Sequence, residues 1–141
     1  MIKVIFVCIH NSACSQMAEA LLKWLGKEDF FVESAGLEPG ILNPMAVKAM
    51  QEINIDISNN KTNNVFDFLK ERRTYNFVIS VCDEFQSERR PIFPGRSQRI
   101  HWNFTDPSAL SGTEEEKLNS TIEIRNEIKA KIIEFIENTK K

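Results

Sequence analysis

A chain of 141 residues has the length of one domain and enough material to bury a core without covalent staples. A formal charge of −2 with 42% hydrophobic residues gives no electrostatic case for nucleic acid or a membrane surface as partner, and no stretch approaches the ~18 consecutive apolar residues of a membrane span. The three cysteines, Cys8, Cys14 and Cys82, lack zinc-like spacing and are an odd number, which leaves no metal, no cofactor and no secreted disulfide framework to expect.

Residues 2–7 form a short β-branched apolar run, too short for a signal-peptide core, so a cytoplasmic address is the default. The run predicts a first strand. Met17, Ala18, Leu21, Leu22 and Leu25 then recur at helical spacing up to the stop at Gly26. Phe30 to Ser34 reads as a second strand ending at Ala35-Gly36, which completes a β-α-β unit. After a 36–42 loop, Asn43-Pro44 supplies an N-cap and a first-turn proline for a helix to about Ile53 that buries Val47 and Met50. The Asn-rich stretch 55–64 reads as turn chemistry, and a short helix follows over 65–72 with Phe66, Phe68 and Leu69 inward.

Asn76 to Val81 is the clearest later strand, with Cys82 at its carboxyl end. Residues 83–97, with Pro91, Pro94 and several charges, form an irregular loop. A brief fourth strand covers 99–102, where His101 and Trp102 are packing and strand-end residues. Asp106-Pro107 then marks a further turn, and Thr113 to Glu116 is a capping box opening a long helix with Leu118, Ile122, Ile128, Ile132 and Phe135 on one side. This alternation specifies one α/β domain over 1–141, a three-layer α/β/α arrangement on a four-stranded parallel sheet. In such sheets ligands bind beyond the carboxyl ends of the strands, where Cys8, the 36–42 loop, Cys82 and Asp106 all fall.

The stretch Val7-Cys8-Ile9-His10-Asn11-Ser12-Ala13-Cys14-Ser15-Gln16-Met17 carries the chemistry. It places a cysteine at a strand end and runs through small residues into a helix N-terminus, where backbone N–H groups and the helix dipole favour an anion. Such a loop binds a tetrahedral oxyanion, lowers the thiol's pKa and sets the thiolate to attack the central atom. His10 is read as a residue that shapes the loop rather than a base.

Together with Glu33 to Gly40, Asp56-Ile57-Ser58, Val81-Cys82-Asp83-Glu84 and Asp106-Pro107-Ser108, this stretch resembles the low-molecular-weight protein tyrosine phosphatase superfamily, and more closely its thioredoxin-linked arsenate reductase branch. The resemblance covers nearly the whole chain. It implies the matching fold, with Cys8 as nucleophile, Asn11 shaping the loop, Ser15 bonded to the thiolate, and Ile9, His10, Asn11, Ser12, Ala13 and Cys14 lining the oxyanion. Asp106 would be the general acid or an activator of Cys8. Cys82 would be the resolving thiol, forming a disulfide with Cys8 that thioredoxin or a similar thiol reductant then opens. Glu19 and Ser34 would support the loop.

Two positions depart from that pattern. The family's loop, Cys-x5-Arg-Ser, has its arginine where this chain has Cys14, and a guanidinium there would fork onto two oxygens of the anion. The branch also carries a cysteine just before the Pro91 to Gly95 segment, where this chain has Arg90. The exchange is formally reciprocal, so Arg89 or Arg90 could supply the charge while Cys14 serves as a thiol beside Cys8. The expected activity is arsenate reduction weakened at position 14. The alternatives are a phosphatase acting on phosphoesters and a non-catalytic oxyanion-binding relative.

Overall fold

The structure, a computed structural model, describes residues 1–81 and 93–139. Its centre is a parallel sheet of four strands, β1 (Ile2–Cys8), β2 (Phe30–Gly36), β3 (Phe77–Ser80) and β4 (Gln98–His101), in the order β2-β1-β3-β4. Strand β1 pairs on both sides, with Val7 opposite Ala35 and Ser80, and is buried from Val4 to Cys8. Cys8, its last residue, therefore emerges from the middle of the sheet's carboxyl edge.

Parity along the strands fixes which residues face which layer. Val4 and Phe6 share a face with Phe30, Phe77 and Trp102, and the rings of Phe6–Trp102, Phe30–Phe135 and Phe77–Phe135 meet at centroid separations of 6.0, 5.9 and 5.0 Å. That face lies under α1 (Cys14–Gly26) and α4 (Glu114–Thr139), and α2 (Pro44–Gln51) packs on α4. The opposite face carries Ile5, Glu33 and Val78, and Arg73 and Tyr75, just beyond α3 (Val65–Lys70), both reach Glu33 there. The three layers anticipated from the alternation are present. No helix among the described residues is long and apolar enough to cross a membrane.

Local chemistry explains the helix limits. Asn43 accepts from Met45 N–H at 2.8 Å with Pro44 at the first position, and Asn64 caps α3 the same way through Phe66 N–H at 2.9 Å. Helix α2 stops at Gln51 rather than Ile53, where Asn54 turns left-handed. Its buried side chains are Ala46, Ala49 and Met50, while Val47 is only half-buried. Phe66 corrects the expectation for α3: it is 45% exposed, while Val65 fills the core and Phe68 and Leu69 lie at its margin. With six residues, α3 is too short for an apolar stripe to include every aromatic.

Helix α4 also buries an arginine. Arg125 Nη1 donates to the Ala49 carbonyl near the end of α2 at 2.8 Å and meets Glu52 at 3.0 Å, so a cation satisfies the last turn of a neighbouring helix.

Candidate active site

The nucleophile loop begins where β1 ends and closes where α1 begins. Its outer wall is the chain after β2: Leu37 N–H donates to Cys8 O at 3.1 Å, Glu38 to Ile9 O at 2.7 Å, Gly40 to His10 O at 3.0 Å and Asn43 to Ser12 O at 2.8 Å. In a trans peptide the next N–H points opposite the carbonyl, so these four outward bonds turn the N–H groups of Ile9, His10, Asn11 and Ala13 away from the wall. The consequence is a cradle of donors. Gly36 permits the approach, since a Cβ there would lie 2.7 Å from Ile9 O and 2.8 Å from Asn11 N.

Cys8 sits inside the cradle, 6% exposed. Asn11 N–H donates to its Sγ at 2.9 Å, and Ser15 Oγ lies 3.0 Å away. Because Ser15 Oγ accepts from Asn11 Nδ2 at 2.8 Å, its own proton is available to the sulfur. Asn11 is held at φ 54, a left-handed conformation that asparagine tolerates, with its Oδ1 accepting from Asn63 N–H at 2.8 Å. His10 Nδ1 lies 2.9 Å from Glu38 O, and since a carbonyl only accepts, that nitrogen carries the proton. The histidine thus ties the loop to its wall.

The electrostatic balance at Cys8 differs from the expected one. Burial pushes the thiol above its ordinary value, and the opposing hydrogen bonds, from the Ser15 hydroxyl first and then the N–H groups of Asn11, His10 and Ser15, do not overcome it. Among the described residues, no cationic side chain contributes to this balance.

Cys14 is the first residue of α1, buried, with its Sγ donating to Thr105 O at 3.6 Å. That contact, with Asn43 Nδ2 donating to Ser108 Oγ at 3.1 Å, fastens the 105–108 turn against the nucleophile loop. Asp106 lies between these two anchors, half-exposed, and its Oδ1 accepts from Ser108 N–H at 2.9 Å. Glu19 stands apart from Cys8: it accepts from Ser34 Oγ at 2.5 Å and pairs with Lys23, joining α1 to β2. Cys82, Arg89 and Arg90 lie outside the described residues.

The sequence reading missed the amides behind the loop. Gln16 is 1% exposed, and its Nε2 lies within hydrogen-bond distance of Asn11 O, Asn11 Oδ1 and Lys61 O. Asn60 Nδ2 donates to Gln16 Oε1, and Asn63 Nδ2 to Ser34 O. The Asn-rich stretch is thus more than turn chemistry. Its one available signal was an amide, Gln16, in the first turn of a helix whose other inward residues are apolar or small.

Over residues 3–141 the chain matches the model of the low molecular weight phosphotyrosine protein phosphatase family. It belongs to that family. Within it, the chain is similar to an arsenate reductase of Bacillus subtilis (strain 168), 39% identical over 137 residues, with 97% of this chain and 96% of the relative covered. An arsenate reductase of Bacillus licheniformis is 40% identical over 134 residues, covering 95% and 94%. Among solved structures, an arsenate reductase in the phosphate binding state superposes with a TM-score of 0.79 at 31% identity over 98% of both chains. The family match and the parallel sheet agree with the fold expected from the motifs.

Proposed function

We propose that this family member is an arsenate reductase whose nucleophile is Cys8. The carrying observation is the thiol at the end of the central strand, bonded to Asn11 N–H and Ser15 Oγ inside a loop of inward N–H groups. That arrangement suits a tetrahedral oxyanion, and the arsenate reductase relatives support arsenate as the substrate.

In the proposed sequence the Cys8 thiolate attacks arsenic, a sulfur–arsenic bond forms and one oxygen leaves, protonated by Asp106. Cys82 then attacks Cys8 Sγ. A disulfide forms, the sulfur–arsenic bond breaks, and its electron pair stays on arsenic, which leaves as arsenite reduced by two electrons. The two cysteines are oxidised by the same two electrons, and thioredoxin or a similar dithiol restores them. Cys14, standing where the family's arginine is expected, weakens the anion's grip and leaves the Cys8 thiol without a cation to lower its pKa. Arg89 or Arg90 would be the source of any substitute charge.

A second reading, hydrolysis of phosphoesters, is favoured by the family match itself and by a similar arsenate reductase having been captured in a phosphate binding state. It uses the same Cys8 and Asp106 and has no step for Cys82. Arsenate-to-arsenite conversion with thioredoxin, compared among the native chain, Cys8→Ser, Cys82→Ser and Cys14→Arg, separates the readings. Reduction that needs both Cys8 and Cys82 supports the reductase. Hydrolysis of an aryl phosphate that needs Cys8 and ignores Cys82→Ser supports the phosphatase, and no turnover in any version, Cys14→Arg included, supports a non-catalytic oxyanion binder.

A further inference from the structure

Gln16 is a buried primary amide one residue beyond Ser15, with its polar atoms turned into the protein. Its orientation is fixed by its neighbours: Nε2 faces the carbonyl oxygens of Asn11 and Lys61, at 3.1 Å each, and these can only accept. Nε2 also meets Asn11 Oδ1 at 3.2 Å, the oxygen that already accepts from Asn63 N–H. Asn11 Nδ2 is thereby forced toward Ser15 Oγ at 2.8 Å, which leaves the Ser15 proton for Cys8 Sγ. The Asn11 carbonyl held by Gln16 belongs to the same row as the carbonyls of Cys8, Ile9, His10 and Ser12 held by the outer wall. By the same trans-peptide argument, the Ser12 N–H is turned away from the amide.

We infer that Gln16, braced by Asn60, is the positioning residue of the nucleophile loop, setting both the donor row and the hydrogen bond from Ser15 to Cys8. The inference rests on the reading of Cys8 as the nucleophile in an oxyanion cradle. Gln16 touches neither sulfur nor anion; it acts through Asn11. Glutamate at this position would face two carbonyl oxygens with a carboxylate, and methionine would keep the volume while removing every donor and acceptor.

The test is protection of Cys8 from iodoacetamide by inorganic phosphate, read at the Cys8 peptide by mass spectrometry, beside thermal melting of each variant. This readout needs no turnover. Gln16→Met should raise the half-protecting phosphate concentration about threefold to tenfold, the factor expected for a lost hydrogen bond, and Gln16→Glu should raise it further. Asn60→Ala, an exposed change that leaves the core alone, should move it in the same direction by less, and should add little on top of Gln16→Met. If phosphate protects the native chain and Gln16→Met and Asn60→Ala equally well, whatever their melting points, Gln16 only packs and the inference is overturned. Should Gln16→Met fail to fold, an unchanged Asn60→Ala overturns it alone. Absence of protection in the native chain sinks the oxyanion reading instead, which keeps the two failures distinct.

Discussion

The sheet carries two polar clusters built on opposite principles. At the carboxyl edge, Ser15 and Asn11 meet Cys8 and are backed by Gln16, Asn60 and Asn63, all of them neutral side chains. On the α3 face, Glu33 takes the Tyr75 hydroxyl at 2.8 Å and the Arg73 guanidinium, which also pairs with Glu71 and lies 4.0 Å over the Phe68 ring. There every charge has a partner within the fold. In the neutral loop Asn11 N–H is taken by Cys8 Sγ and the remaining N–H groups turned from the wall pair with no charge there, so one cluster contributes stability and the other, in the function proposed above, readiness to bind an anion.

Placing a charge in the neutral cluster is the sharpest way to break this contrast. Cys14→Arg should raise arsenate turnover about 100- to 1000-fold, the usual worth of one preorganised donor to developing charge. It should also move the pH profile. Burial holds the Cys8 thiol above its ordinary value, so in the native chain the thiolate fraction, and with it the rate, climbs tenfold per pH unit until that pKa is reached. A guanidinium beside the sulfur favours the thiolate and shifts the rise to lower pH. A rate and profile unchanged by Cys14→Arg would show that the anion does not sit over the start of α1.

Gly36→Ala strikes the neutral cluster from outside. The added methyl would meet the Ile9 oxygen, the Asn11 nitrogen and the His10 carbonyl carbon, all backbone, all within 2.9 Å. None can swing away as a side chain would. Overpacking of this kind costs about 1–3 kcal/mol, and here the displaced atoms belong to the loop backbone that carries the donor row, so stability to chemical denaturation and turnover should fall together. The same substitution in a merely structural turn would lower stability alone.

How much of this was legible in the sequence depends on the range of each interaction. The strand, loop and helix around Cys8 follow from a local pattern, and the Asn43-Pro44 and Thr113–Glu116 caps were readable because a cap is completed within three residues. The brace behind the loop was not, because Gln16 meets Asn60 across 44 positions and Asn11 meets Asn63 across 52, and an amide advertises no particular partner. Arg125 gave no local sign of its burial for a related reason: the carbonyl that draws it inward belongs to Ala49, 76 positions away. Phe66 erred in the other direction, an aromatic left outside because α3 has only one buried position to offer.

The charged cluster gives a smaller effect. Tyr75→Phe removes the hydroxyl that donates to Glu33 and should cost about 1–2 kcal/mol near neutral pH, with phosphate protection of Cys8 unchanged. Its pH dependence has a definite sign. Burial first, then the bond to and the charge of Glu33, push the tyrosine's pKa far up, so the neutral form is the one the fold prefers. That contribution is fully present below the ordinary tyrosine value of about 10 and is lost as pH rises beyond it. The gap in stability between native and Tyr75→Phe chains should therefore narrow in alkaline urea titrations.

Asn43→Ala should show the smallest change and the most informative split. The side chain caps α2 through Met45 N–H and ties the 105–108 turn through Ser108 Oγ, while the loop's outer wall uses only the Asn43 backbone N–H, which alanine keeps. Loss of the cap costs about 1 kcal/mol. The donor row should stay intact, so phosphate protection of Cys8 should hold while turnover drops modestly through a loosened Asp106. A weakened protection would instead mean that the wall leans on the cap, and that the neutral cluster draws its shape from α2 as well as from the amides behind it.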